Sequence, residues 1–122
     1  MMRLELPRPP SLNNLYVNVP KRGRVRSQRY LTWIQAAKAE IAAQRPSRVA
    51  GDYVLWLYVE RPDNRKRDLF NLPKAVEDLL VDQGLVEDDS RCVEGHVVWA
   101  GTGRRCTVMV EPAKPVAMKV AA

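Results

Sequence analysis

The sequence contains few of the residues on which several common classes of protein depend. Its 122 residues include only two cysteines and a single histidine. Two cysteines make neither a disulfide framework nor a zinc ribbon, which needs four metal ligands. No run approaches the ~18 consecutive apolar residues of a membrane span, and the N-terminal residues lack the apolar core of a secretory signal. We therefore expect a soluble, cytoplasmic protein with no membrane partner.

The composition fits one small domain. Hydrophobic residues make up 46% of the chain, which is enough for a core at this length. We expect the domain to span residues 1–112. Residues 113–122 show no periodicity, so we expect a flexible C-terminal tail there. The 20 lysines and arginines outnumber the 14 acids and give a formal charge of +6.

The two signs of charge lie in different parts of the sequence. Five bases fall within residues 21–29, a second basic group follows at residues 65–67, and residues 77–89 hold six acids and no base. The bases are Lys21, Arg22, Arg24, Arg26 and Arg29, and then Arg65, Lys66 and Arg67. A basic protein with one acidic patch is typical of a polyanion binder that also holds a cation, although such charges also serve solubility.

The hydrophobic pattern predicts an α+β fold. We expect a small mixed β-sheet with two main helices, in the order β-α-β-α-β-β. Strand 53–59 is apolar at every position, which favours a central strand covered on both faces, one of them by a second subunit. The expected elements are a strand at 2–6, a long loop at 7–26, helices from Ser27 to about Gln44 and from about Asn71 to Gln83, and strands at 53–59, 92–100 and 104–111.

Two segments carry turn signals. The sequence Gly101-Thr102-Gly103 predicts a hairpin that joins the last two strands. Within the long loop, Arg24 and Arg26 alternate across Val25, a pattern that is also compatible with a short hairpin arm.

The second helix carries a polar stripe. On a helical wheel Asn71, Lys74, Asp78 and Asp82 fall on one side. Asp68 precedes the helix, and the pair Asp88-Asp89 follows it. Carboxylates from separate segments can converge on Mg²⁺, and a nearby lysine can neutralise charge on a phosphate. The alternatives are a helix cap at Asp68, an ordinary Lys74–Asp78 ion pair, and a simple turn at Asp88-Asp89.

Three motifs occur together in a recognisable order. They are Pro9-Pro10-Ser11-Leu12-Asn13-Asn14-Leu15-Tyr16, then Arg65-Lys66-Arg67-Asp68-Leu69-Phe70-Asn71-Leu72-Pro73-Lys74-Ala75 with Asp78-Leu79-Leu80, and then Asp88-Asp89. In these motifs the chain resembles the RusA family of Holliday-junction resolvases, the crossover junction endodeoxyribonucleases. The resemblance runs from residue 4 to about residue 110.

The resemblance implies an α+β homodimer that acts in DNA recombination and repair. Such an enzyme cuts four-way junction DNA by Mg²⁺-dependent hydrolysis of one phosphodiester in each of two opposing strands, and Mn²⁺ is a possible substitute. By position, Asp68 and Asp89 match metal-binding carboxylates, and Lys74 matches the essential lysine. Asp78 and Asp88 are further candidate ligands. The expected location is cytoplasmic and nucleoid-associated.

Phe70 departs from the family pattern, which has an acid at this position. Phenylalanine cannot bind a metal, so one expected ligand is absent. Asp78 or Asp88 could substitute for it, the site could work with more waters, or the chain could bind junctions without cutting them. We favour retained activity, because Asp68, Lys74 and the other acids are all present.

The remaining predictions concern DNA contacts. The candidate DNA-binding residues are Asn13, Tyr16, Lys21, Arg22, Arg24, Arg26, Arg65, Lys66 and Arg67. Trp33, Trp56 and Trp99 each lie in an apolar run, which favours core or dimer positions over base stacking. The alternative function is a non-catalytic protein that binds junctions or duplex DNA, and a more remote one is an RNA-binding accessory protein.

Overall fold

The computed structural model describes residues 1–114. Its six strands and two helices are β1 Met2–Pro7, β2 Tyr16–Val19, β3 Gly23–Arg26, α1 Gln28–Gln44, β4 Tyr53–Arg61, α2 Pro73–Asp82, β5 Cys92–Thr102 and β6 Arg105–Pro112. Three short 3₁₀ turns lie at Leu12–Asn14, Leu69–Asn71 and Asp89–Arg91. Of the tail predicted at 113–122, only the first two residues are described, and residues 115–122 lie outside the described part of the chain.

Four strands form one mixed sheet in the order β1-β6-β4-β5. β4 pairs with β5 in parallel and with β6 antiparallel, and β1 pairs antiparallel with β6. Together with α1 and α2 this confirms the predicted α+β fold with a small mixed sheet and two main helices. β4 is an inner strand, as its apolar run predicted.

The predicted hairpin at residues 101–103 is wrong. β5 and β6 lie on opposite sides of β4 and do not pair with each other. The turn between them passes over the end of β4, where the Gly103 amide donates to the Arg61 carbonyl at 2.9 Å and the Arg105 amide donates to Glu60 Oε1 at 2.9 Å. A glycine-rich turn shows where a chain reverses, but the strand that it pairs with depends on distant residues.

The segment predicted as a loop at residues 7–26 contains regular secondary structure, which corrects that prediction. After the 3₁₀ turn at Leu12–Asn14, β2 and β3 form an antiparallel hairpin in which Val17 lies opposite Val25. The hairpin arm suggested by the alternation around Val25 is therefore present. Its turn uses positive φ angles at Lys21 (67°) and Gly23 (71°). This separate two-stranded ribbon carries most of the first basic group.

Both helices begin and end close to the predicted residues, because their caps are local. The Ser27 hydroxyl accepts the Tyr30 amide at 3.1 Å and starts α1. Pro73 occupies the first turn of α2, and Gly84 has φ of 69° just beyond its end. One detail is corrected: Asn71 belongs to the preceding 3₁₀ turn and not to α2.

The core lies between one face of the sheet and the two helices. Leu57 and Val108 from the sheet pack in one buried cluster with Trp33 from α1 and Val76 from α2. The opposite face of β4, with Val54, Trp56 and Tyr58, is only half-buried, so the expectation that both faces are covered is met on one face alone within residues 1–114. Neither described helix has the length and apolar character needed to cross a membrane.

Candidate functional site

Asp68 lies at the entrance to α2. It is exposed, and its Oδ1 accepts the Phe70 amide at 3.1 Å, which caps the 3₁₀ turn Leu69–Asn71. The capping alternative considered for this residue is therefore present in the structure. The cap uses one of the two carboxylate oxygens, so it fixes the orientation of Asp68 and is compatible with a second role.

Lys74 lies in the first turn of α2. Its Nζ donates to Asp78 Oδ1 at 3.0 Å, so the ion-pair alternative is also realised. This hydrogen bond is the main reason that the pKa of Lys74 is raised, and the charge of Asp89 raises it further. Lys74 therefore bonds to Asp78 of its own helix and experiences the charge of Asp89 from the following 3₁₀ turn. Asp82 does not join them, because it pairs with Lys38 of α1 at 3.9 Å.

Glu77 is a carboxylate that the sequence analysis did not assign to the site. It is half-buried on α2, one turn after Lys74. Burial raises the pKa of Glu77 and the charge of Asp89 raises it further, whereas Lys74 lowers it. The i to i+3 spacing from Lys74 was the available signal, since residues at that spacing share a helix face.

Asp88 is engaged within its own turn. It is exposed and its Oδ2 accepts the Ser90 hydroxyl, which is the main cause of the lowered pKa of Asp88. The turn alternative considered for Asp88-Asp89 is therefore present as well.

The acidic side chains of the described residues do not form a complete metal-coordination site. Within residues 1–114 no group of three or more His, Cys, Asp or Glu side chains is placed to hold a metal ion by itself. Mg²⁺, however, is usually held by one or two carboxylates, with waters and substrate phosphate oxygens completing its coordination. The charge of Asp89 adds to burial in raising the pKa of Glu77, and a bound cation near both carboxylates would reduce that repulsion.

Asp68 lies on the wall of a cleft of about 610 Å³, which we call the Asp68 cleft. Lys66 and Arg67, which the sequence predicted, line it, and so do Arg8 and Arg29, which it missed. Arg65 is not among the lining residues and pairs with Asp63 at 3.9 Å instead. The other lining residues are Pro9, Pro10, Ser11, Asn13, Asn14, Trp33, Pro62, Asn71, Leu72 and Trp99.

The hairpin β2–β3 presents the second basic surface. Arg24 and Arg26 extend over the rings of Tyr16 and Tyr30, at 4.5 and 5.6 Å from the ring centroids. Lys21 and Arg22 are exposed at the hairpin turn. Asn13 borders both the Asp68 cleft and a neighbouring depression that Tyr16 and Arg24 line. The predicted DNA-binding residues of the N-terminal region therefore lie on one continuous stretch of structure.

Phe70 stands two residues after Asp68 and is 80% exposed. Its backbone amide supports the Asp68 carboxylate, whereas its ring extends into solvent. No packing reason in the described residues accounts for an aromatic side chain at this position.

The chain matches one family model, that of endodeoxyribonuclease RusA, over residues 7–111. The match covers nearly the whole chain and includes Asp68, Lys74 and Asp89 as well as the Asp68 cleft and the hairpin. A comparison with curated proteins finds no match.

Proposed function

The chain belongs to the RusA family of endodeoxyribonucleases, and we propose that it resolves Holliday junctions by Mg²⁺-dependent hydrolysis during DNA recombination and repair. Membership of that family implies junction-resolving nuclease activity. The observation that best supports the finer proposal is the position of Lys74. Lys74 is bonded to Asp78, and the charge of Asp89 acts on it as well. It lies six residues after Asp68, in the first turn of α2.

DNA binding is assigned to the two basic surfaces. The hairpin places Arg24, Arg26 and the bases of its turn on an exposed ribbon, and Lys66 and Arg67 lie at the Asp68 cleft. Such side chains neutralise phosphates and release counterions, so affinity is expected to fall steeply with salt. Contacts with phosphates position the protein on the DNA backbone, but they do not themselves distinguish one DNA sequence from another.

The catalytic roles follow from the chemistry of each side chain. Asp68 and Asp89 are the proposed ligands of Mg²⁺, or of Mn²⁺ in its place, and Asp78 and Asp88 are additional candidates. Glu77 is a further candidate, because it is half-buried and experiences the charge of Asp89. These carboxylates would hold the ion, and the chemistry that it would supply is polarisation of a phosphoryl oxygen and activation of a water. Lys74, kept charged by Asp78, stabilises the negative charge that develops on the phosphate.

We further propose that the enzyme acts as a homodimer. Two active sites related by a two-fold axis suit a junction that has two-fold symmetry. The half-buried face of the sheet, with Val54, Trp56 and Tyr58, is the proposed contact. Light scattering of the parent protein and of a Trp56→Glu variant tests this, because a charge on that face should produce monomers. A dimer of unchanged mass in the variant would place the contact elsewhere.

The function is tested with a labelled four-way junction in Mg²⁺. The parent protein should produce paired nicks, and Asp68→Asn should bind the junction but cut it at least ~100-fold more slowly, since even the partners of metal ligands typically matter by ~10–100-fold. Asparagine retains the capping oxygen, so the turn should stay folded. Asp82→Asn is the matched control and should cut normally, because Asp82 pairs with Lys38. Cutting by Asp68→Asn at the parental rate would refute the assignment.

The second candidate function is junction binding without cleavage, and Phe70 is the observation that favours it. The exposed ring occupies the position where the family pattern has an acid. In the same assay, a shifted junction that stays intact in both Mg²⁺ and Mn²⁺ would select this alternative.

A further inference from the structure

We propose that the Asp68 cleft receives one unpaired nucleotide next to the phosphate that is cut. This inference rests on the proposed function and adds which part of the DNA occupies the site. A backbone phosphate can bind on an open surface and does not need a cleft. The Asp68 cleft has a volume of about 610 Å³, which falls within the size range of pockets that bind small molecules. A base that is paired and stacked within a duplex cannot reach such a cleft, so the occupant must be extruded.

The lining has an aromatic component suited to a base. Trp99 is half-buried on β5 and borders the cleft. The Arg61 guanidinium covers one face of its ring at 5.4 Å from the centroid, so a base would stack on the other face. Pro9 and Pro10 add buried apolar surface. Bases of any identity stack on indole rings, so this arrangement would hold a nucleotide without reading its sequence. Trp99 thereby differs from Trp33, whose indole nitrogen donates to the Pro7 carbonyl at 2.9 Å.

The polar lining matches the remaining parts of a nucleotide. The amides of Asn13, Asn14 and Asn71 each offer donors and an acceptor, which suit the hydrogen-bonding edges of bases. The Asn14 amide is held in place by donating to the Ser11 hydroxyl at 2.9 Å. Asn71 ends the 3₁₀ turn that Asp68 caps, so a base bound to its amide would keep its own phosphate close to that carboxylate.

Arg8 concentrates positive charge in the cleft. Its guanidinium donates to the carbonyls of Glu60, at 3.3 Å, and Gly103, which fixes it on the sheet. Burial lowers the pKa of Arg8, and the positive charges of Arg67 and Arg104 lower it further. Cations held this close to one another are stabilised by an anion, and the phosphate of a bound nucleotide provides one.

An extrusion step would also make the enzyme selective for branched DNA. Removing a base from a stack is least unfavourable where the base is already unpaired or poorly paired. At a branch point that condition is met more easily than in continuous duplex. The Asp68 cleft would therefore discriminate by DNA structure, while the basic hairpin binds any duplex backbone.

The test compares binding to a duplex that has one unpaired extra nucleotide with binding to the matched, fully paired duplex. Both measurements are made in EDTA, so that cleavage plays no part. The parent protein should bind the bulged duplex about tenfold or more tightly. Trp99→Leu should lose this preference, and Trp99→Phe, which retains a stacking ring, should keep most of it.

A second pair of variants guards against misfolding of Trp99→Leu. Asn71→Ala should reduce the preference for the bulge, whereas Asn64→Ala, an exposed asparagine outside the cleft, should leave it unchanged. A parent protein without preference, or a preference that survives both Trp99→Leu and Asn71→Ala, overturns the inference. Because binding is measured without metal, a protein that prefers the bulge but never cuts would support the cleft and refute only the nuclease proposal.

Discussion

The ammonium nitrogen of Lys74 lies 3.0 Å from Asp78 Oδ1, one turn further along α2. Such a pair on a solvated helix face is ordinarily of minor energetic importance. Here the same lysine also experiences the charge of Asp89 from the 3₁₀ turn beyond the helix. Lys74 is therefore bonded directly to Asp78 and influenced through space by a carboxylate of a second element.

This relationship predicts the pH dependence of cleavage. The pKa of Lys74 is raised above its ordinary value, so the lysine stays charged to higher pH than a free one. Asp78→Asn removes the main cause of that shift. The alkaline limb of the cleavage rate should then move to lower pH in the variant, measured in single turnovers with saturating junction. Asp82→Asn should leave the limb in place, and equal profiles for Asp78→Asn and the parent would show that the Lys74–Asp78 pair does not set the alkaline limb.

Glu77 gives a prediction about metal binding. Glu77→Gln keeps the size of the side chain and removes its charge, so the affinity for Mn²⁺ should fall by about tenfold or more, measured by calorimetry or by electron paramagnetic resonance. The pKa of Glu77 is raised in the folded protein, which means that its ionised form destabilises the metal-free fold at neutral pH. The variant should therefore also be more stable than the parent without metal.

Glu87→Gln is the control for that experiment. Glu87 is exposed and pairs with Arg91 at 3.7 Å, away from the face that Glu77 shares with Lys74. Its Mn²⁺ affinity should match that of the parent. If both variants bind Mn²⁺ as the parent does, Glu77 has no part in the site.

Local signals in the sequence predicted the positions of the helices and the main strands well. The pairing of the strands, which depends on residues far apart in the chain, was not predicted correctly. Ser27, Pro73 and Gly84 act on backbone groups within a few residues, so both helices were placed almost correctly. The partners of β5 and β6 depend on competition for the two edges of β4, which no turn residue encodes. For that reason the hairpin at residues 101–103 was mistaken, although both strands exist.

The same distinction applies to the site. Asp68, Lys74 and Asp89 stand close in sequence, and a motif was sufficient to single them out. The Asp68 cleft is assembled from Arg8, Arg29 and Trp99, which come from separate elements far apart in the chain. Spacing cannot reveal such a set, because it exists only once the sheet has formed. Trp99 was expected in the core or at a dimer contact; it does pack against the core, and it borders the cleft as well.

Tyr53 predicts a gain of stability. Its side chain is fully buried, and within residues 1–114 the hydroxyl has no strong hydrogen-bond partner, because the group beside it is the weakly bonding thiol of Cys92. A buried polar group without a partner typically costs ~1–3 kcal/mol. Tyr53→Phe should therefore raise the free energy of unfolding by about 1 kcal/mol in urea without metal. Tyr58→Phe, on the half-buried face, should have little effect, and a destabilised Tyr53→Phe would show that the hydroxyl has a partner in solution.

Phe70 provides the last prediction, because it tests the one departure from the family pattern. The residue is 80% exposed, so replacing it should change the free energy of unfolding by no more than about 0.5 kcal/mol. Phe70→Asp places a carboxylate two residues after Asp68, where a metal-binding acid is expected from the family. Its Mn²⁺ affinity should exceed that of Phe70→Ser, and junction cleavage should be retained or raised. Phe70→Ser is the control, since it removes the ring without adding charge. Equal Mn²⁺ affinities for the two variants would show that position 70 does not face the metal, and the role of the missing acid would then fall to Glu77 or Asp78 on α2.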